Sequence, residues 1–192
     1  MQHWVNYLSI GMIEIALFWL ILSSSRKSII YAFSTILILV FSINLQFWTF
    51  GFAVTKLITG IMAMLLLLIT PAEETLPAGG VGIGRIFRAL SLGMGILLIF
   101  STLASTTQFL SLTIDQTLPS LTILWCGFLL IAFSKDPFRI ILGLLTLLTG
   151  FEIIYGSVER SLLINALLTA VYLLIAVIGS YLMMPASSED ES

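Results

Sequence analysis

Residues 47–70 read FWTFGFAVTKLITGIMAMLLLLIT, and one charge, Lys56, interrupts them. A helix that crosses a bilayer needs about 20 mostly apolar residues, so this stretch is long enough to span. Working outward, six further apolar runs of similar length appear. The seven predicted spans are Trp4–Leu22, Ile29–Leu45, Phe47–Thr70, Ile86–Ala104, Leu118–Phe133, Phe138–Ser157 and Leu162–Met184. The second and third are joined by almost nothing. Together they run to about 42 residues, which at 1.5 Å per residue demands two crossings. The expected fold class is therefore all-α, a polytopic membrane helix bundle of about seven transmembrane helices. Residues 1–184 form a single transmembrane domain, and 185–192 a short acidic tail.

Composition agrees. The chain is 59% hydrophobic and 9% charged, against about 45–50% and about 25% for an ordinary soluble domain. A formal charge of −2 with scattered basic residues gives no reason to expect nucleic acid as a partner. One cysteine, Cys126, excludes an internal disulfide and a cysteine metal cluster, and reads as a buried apolar filler. The sole histidine, His3, precedes the first apolar run and reads as interfacial. The N-terminus lacks a basic leader and a small-residue cleavage site, so the first run reads as a retained helix.

Orientation follows from lysine and arginine in the short loops. The loops after spans one, three and five, with the C-terminus, carry Arg26, Lys27, Arg85, Arg88, Lys135 and Arg139; the opposite side carries only Arg160. This places the N-terminus outside and the C-terminus in the cytoplasm. Aromatic rings favour the headgroup layer. Trp4, Tyr7, Trp48 and Trp125 are expected near outer span ends, Trp19 and Tyr181 near inner ones.

The loop Pro71 to Arg85 is the longest. Its run Gly79–Gly84 has the glycine density of a phosphate-binding loop, but no strand precedes it and a spanning helix follows, so it reads as a flexible connection. Asp136-Pro137 suits the start of span six, as a cap followed by proline in the first helical position. Ser91, Gly93 and Gly95 in span four, and Gly143, Gly150 and Gly156 in span six, allow close helix approach.

Three ionisable residues fall well inside spans: Glu14, Lys56 and Glu152. Charge inside hydrocarbon is costly, so each is a candidate functional residue. Glu14 and Lys56 have comparable predicted depth. They could form an ion pair within the chain, which would need no further role; a proton relay, or pairing with another subunit, is the alternative. Glu152 has no lysine or arginine nearby in its own span. It reads either as a relay carboxyl or as a group that is exposed at the interface or held in a structural hydrogen bond. No histidine cluster, Ser/His/Asp set, nucleotide motif or quinone site stands out. A catalytic centre, metal or cofactor of the chain's own is not expected.

The C-terminal third, residues 118–184, resembles the K subunit of bacterial respiratory complex I and the related C subunit of Mrp antiporters. The resemblance rests on Lys135-Asp136-Pro137-Phe138-Arg139, then an apolar helix bearing Gly150-Phe151-Glu152-Ile153-Ile154, then a last span. The whole chain is similar to component E of hydrogenase-4, which has extra helices ahead of a K-like part and a Thr-Lys motif like Thr55-Lys56 here. Two departures stand out. The K subunit carries a second buried glutamate in its last helix, where Leu168-Thr169-Ala170-Val171-Tyr172 has no acid. Glu152 also sits about one turn further from the basic loop than in the family, which keeps it on the same helix face.

The resemblance implies a subunit without catalysis of its own, in an oxidoreductase complex of the bacterial or archaeal cytoplasmic membrane. Such complexes translocate protons or sodium, as in a respiratory chain. The implied partners are other membrane subunits, including a large antiporter-like one, and the lipid bilayer. Glu152 would then be a relay carboxyl, Lys56 a charge partner or relay base, and Glu14 the counter-charge. The rivals are a purely structural scaffold subunit and an independent small transporter.

Overall fold

The computed structural model describes residues 2–23, 25–70, 83–110, 112–158 and 161–184; for 2–7, 46, 47, 83–85 and 110 it describes the backbone alone. Most of the loop Pro71–Arg85, most of the run Gly79–Gly84, Arg160 and the tail 185–192 lie outside the described residues, as do the side chains of His3, Trp4, Tyr7 and Arg85. The described residues form seven helices: α1 (Gln2–Leu22), α2 (Arg26–Phe47), α3 (Phe50–Ile69), α4 (Ile83–Leu110), α5 (Ile114–Ala132), α6 (Pro137–Val158) and α7 (Leu162–Leu182). Six of them, α2 to α7, are long and apolar enough to cross a membrane. The chain is thus built as a multi-pass membrane protein.

The largest boundary differences from the sequence reading lie on either side of the α4–α5 connection. α4 runs on to Leu110 rather than ending near Ala104, and α5 starts at Ile114 rather than Leu118. α5 runs straight through Pro119, a residue of its second turn that supplies no backbone N–H to the carbonyl one turn back. The start of α6 follows its local chemistry. Pro137 is its first residue, and the Asp136 carboxylate accepts a hydrogen bond from the Phe138 backbone N–H at 3.2 Å.

Successive helices run in opposite directions, and arginines at the starts of the even helices show it. The Arg26 guanidinium, at the start of α2, donates to the Leu67 and Thr70 carbonyls at the end of α3, at 2.6 and 2.8 Å. Arg139, at the start of α6, donates to the Ser23 carbonyl just past α1 at 2.8 Å. Arg88, near the start of α4, makes a longer 3.4 Å contact with the Phe133 carbonyl past α5. The last carbonyls of a helix have no intrahelical donor and carry partial negative charge, so a cation there both satisfies and stabilises them. Arg26 also lies over the Phe138 ring, 4.9 Å from its centre.

α5 and α6 are the most intimately packed pair, and glycines set their separation. A Cβ on Gly127 would lie 2.5 Å from the Leu147 backbone nitrogen. One on Gly150 would lie 2.7 Å from the Leu124 nitrogen, and one on Gly143 would lie 3.0 Å from the Gly127 carbonyl oxygen. With no hydrophobic drive between helices in lipid, such backbone contact is a main source of association. The other small residues act differently. Gly95 and Gly156 seat the rings of Trp125 and Trp48, and Gly93 faces open space. Trp125 is therefore not at an outer span end, as the sequence suggested. It sits in the middle of α5, because Gly95 of α4 leaves a recess that only a ring fills.

Gly127→Leu is expected to force α5 and α6 apart. The loss should exceed the roughly 1–3 kcal/mol typical of overpacking, since backbone rather than side chain must yield. Unfolding in mixed micelles would measure it. Gly93→Leu, facing open space, is the control and should change little.

Candidate functional site

Lys56 on α3 and Glu152 on α6 meet side chain to side chain. The ammonium donates to a Glu152 carboxylate oxygen at 2.5 Å, and the two side chains are 13% and 11% exposed. Lys56 lies six residues after the start of α3 and Glu152 six before the end of α6, so both sit about 9 Å from those ends. α3 packs directly against α2 and α7, and α6 against α5, α7 and α2. The long lysine stem is what bridges from α3 to α6.

A cavity of about 30 Å³ adjoins the pair. Its polar lining comes from four helices: Asn44 of α2, Lys56 and Thr59 of α3, Thr149 and Glu152 of α6, and Tyr172 of α7. Leu37, Val40 and Ala53 are among its apolar walls. Thr59 and Thr149 direct their hydroxyl protons to carbonyls one turn back, Thr55 and Leu145, both at 2.8 Å. That leaves their oxygen lone pairs available to the cavity. The Tyr172 ring is 3% exposed, and no protein group hydrogen-bonds its hydroxyl.

The expected pairing of Glu14 with Lys56 does not form. α2 packs against both α1 and α3 and stands between them. Equal depth therefore does not bring the two side chains together. Glu14 instead faces Thr122 of α5, and one of its carboxylate oxygens is buried without a hydrogen-bond partner. Nearby Cys126 is fully buried, with its thiol 3.8 Å from the Leu17 carbonyl oxygen. It is the apolar filler that its setting suggested. Glu14 thus meets α5 while Lys56 meets α6, and the buried Ser120, Thr122, Thr146 and Thr149 hydroxyls of these two helices all donate within their own helices.

Sequence reasoning singled out Lys56 and Glu152 but missed Tyr172 as a site residue. The available signal was the stripe Asn165, Thr169, Tyr172, Ala176 and Gly179, polar or small at spacings of four and three, in a helix otherwise mostly of leucine, isoleucine and valine. In lipid the buried face of a helix is the small and polar one. The structure buries Asn165, Tyr172, Ala176 and Gly179 and exposes Leu163, Leu167, Leu174 and Ile178.

Comparison with protein-family models, with curated proteins and with solved structures gives no match.

A buried pair penalises loss of one partner far more than loss of both. Lys56→Met is expected to cost about 3–5 kcal/mol by stranding the carboxylate, whereas Lys56→Met with Glu152→Leu should recover most of that. Equilibrium unfolding of the two variants in one micelle system checks it. Equal destabilisation by both would show that the pair is not the reason.

Proposed function

We propose that this chain is a membrane subunit of a redox-driven proton- or sodium-translocating complex, related to complex I, group 4 hydrogenases and Mrp antiporters, and that it contributes buried charge to an ion path. The Lys56–Glu152 pair beside a cavity bordered by polar groups of four helices carries this reading. An ionisable residue within the hydrocarbon layer marks an ion or proton path unless it is wholly absorbed in packing. Here the pair has polar space at its side. A proton arriving at Glu152 neutralises the carboxylate and releases its hold on the ammonium. A proton leaving restores the pair. Such an alternation is what a relay requires, and neighbouring subunits would supply the entry and exit. Glu14, facing Thr122, stays a candidate for a second station on the α1 side. The resemblance of residues 118–184 to the K subunit supports the same assignment, with partners that include a large antiporter-like subunit.

A scaffold role is the second reading. The backbone-to-backbone contact of α5 and α6 and the neutralisation of Lys56 by Glu152 both suit a subunit that only seals and clamps. One measurement separates the readings. In both, the chain should co-purify, after gentle solubilisation, with a large multi-span subunit. Within that complex Glu152→Gln should leave assembly intact and slow ion translocation into vesicles more than about tenfold, the scale on which losing a proton-transfer group is felt. Undiminished translocation would leave the scaffold reading standing.

In the proposed orientation the end of the bundle bearing Arg26, Arg88 and Arg139 faces the cytoplasm. Lys27 and Thr49 are both exposed and lie at opposite ends of α2. In a Cys126→Ala background, an impermeant maleimide added outside intact cells should label Thr49→Cys and not Lys27→Cys. The reverse pattern would invert the assignment.

A further inference from the structure

The Tyr172 hydroxyl is the observation that the ion pair leaves unexplained. Its ring is almost fully enclosed, its oxygen has no protein partner, and it lines the same cavity as Glu152 and Lys56. The Thr149 hydroxyl of α6 lies beside the phenol with its own proton given to Leu145, but it forms no hydrogen bond of acceptable geometry with the Tyr172 hydroxyl. A buried phenol without a hydrogen bond loses about what a hydrogen bond is worth, and tyrosine hydroxyls in protein interiors normally find a partner. The cavity is large enough to supply one. At about 30 Å³ it exceeds the roughly 10–15 Å³ that one water needs. Polar groups from four helices surround it, and an internal water typically makes about three hydrogen bonds.

The geometry points to a bound-water site in which Tyr172 is the anchoring donor and Glu152 the principal acceptor. The phenol O–H donates to the water oxygen. One water O–H donates to the Glu152 carboxylate, and the other to an acceptor on the rim, the Thr149 hydroxyl oxygen or the Asn44 side-chain carbonyl. Lys56 holds Glu152 from one side, and the Tyr172-bound water holds it from the other. Tyr172 is thus a positioning residue: it acts on the carboxylate through the water. Its service to an ion path rests on the relay reading above, but the water site does not.

The test is isotope-edited infrared spectroscopy of the purified chain in lipid nanodiscs. Exchange into H₂¹⁸O marks the bands of bound water, and Glu152→Gln identifies the Glu152 carboxyl band. Tyr172→Phe keeps the ring and removes only the hydroxyl. The expected result is loss of one ¹⁸O-sensitive water band together with a shift of the Glu152 band. If Tyr172→Phe leaves both bands unmoved, the site is refuted. If that variant does not fold, the wild-type chain decides by itself. A high-resolution experimental map with density between the Tyr172 and Glu152 oxygens supports the site, and a dry cavity or a phenol bonded directly to Thr149 overturns it. The two proposals can fail separately. Unchanged pumping by Glu152→Gln would end the relay reading while these bands still reported the water.

Discussion

A lysine and a glutamate in hydrocarbon impose the constraint on which this architecture turns. Neither charge is tolerable alone at that depth, so their helices must keep them within reach of each other. α3 and α6 do not form a closely packed pair of their own; α2 and α7 flank the gap between them. The 2.5 Å contact is a tether across that gap. It leaves room at its side, and the remaining polar groups of α2, α6 and α7 face that room. Had α3 packed tightly on α6, the charges would have been sealed in and the cavity lost.

The two ends of the bundle are held by different physics. At one end, arginines from the starts of α2, α4 and α6 satisfy carbonyls at the ends of α3, α5 and α1. Toward the other, Trp48 lies over Gly156 and edge-on to Phe52, with ring centres 5.6 Å apart. The α5–α6 hairpin is the most closely packed element, since its glycines bring backbone against backbone. Glu152 follows Gly150 on that hairpin by two residues, so the carboxylate is mounted on the most closely packed wall of the site.

Much of the fold was legible because the bilayer makes a demanding solvent. Seven apolar runs give seven helices, and Asp136-Pro137 marks the start of α6. The residues Lys56 and Glu152 were also legible, from the cost of charge alone. Their pairing was not. Glu14 and Glu152 are both acids within spans, and choosing between them as partner of Lys56 requires knowing that α2 separates α1 from α3. That adjacency is a tertiary fact with no local signature. Trp125 went astray for a related reason: an aromatic residue within a span reads as interfacial until the glycine opposite it is known. Tyr172 was hidden by the search for an acid, although the polar and small stripe of α7 had already pointed its face inward.

The arginine caps have a consequence for how charge bias along this chain should be interpreted. A basic residue in a short loop is usually regarded as an address label that tells the insertion machinery which side to leave it on. Arg26, Arg88 and Arg139 are also fasteners, each joining one helix to the tail of another. Recoding them to reverse the topology would loosen three junctions at once, and a misinserted product could not be told from an unfastened one. Lys27 and Lys135, both exposed, are the places to rewrite the label and leave the fasteners closed.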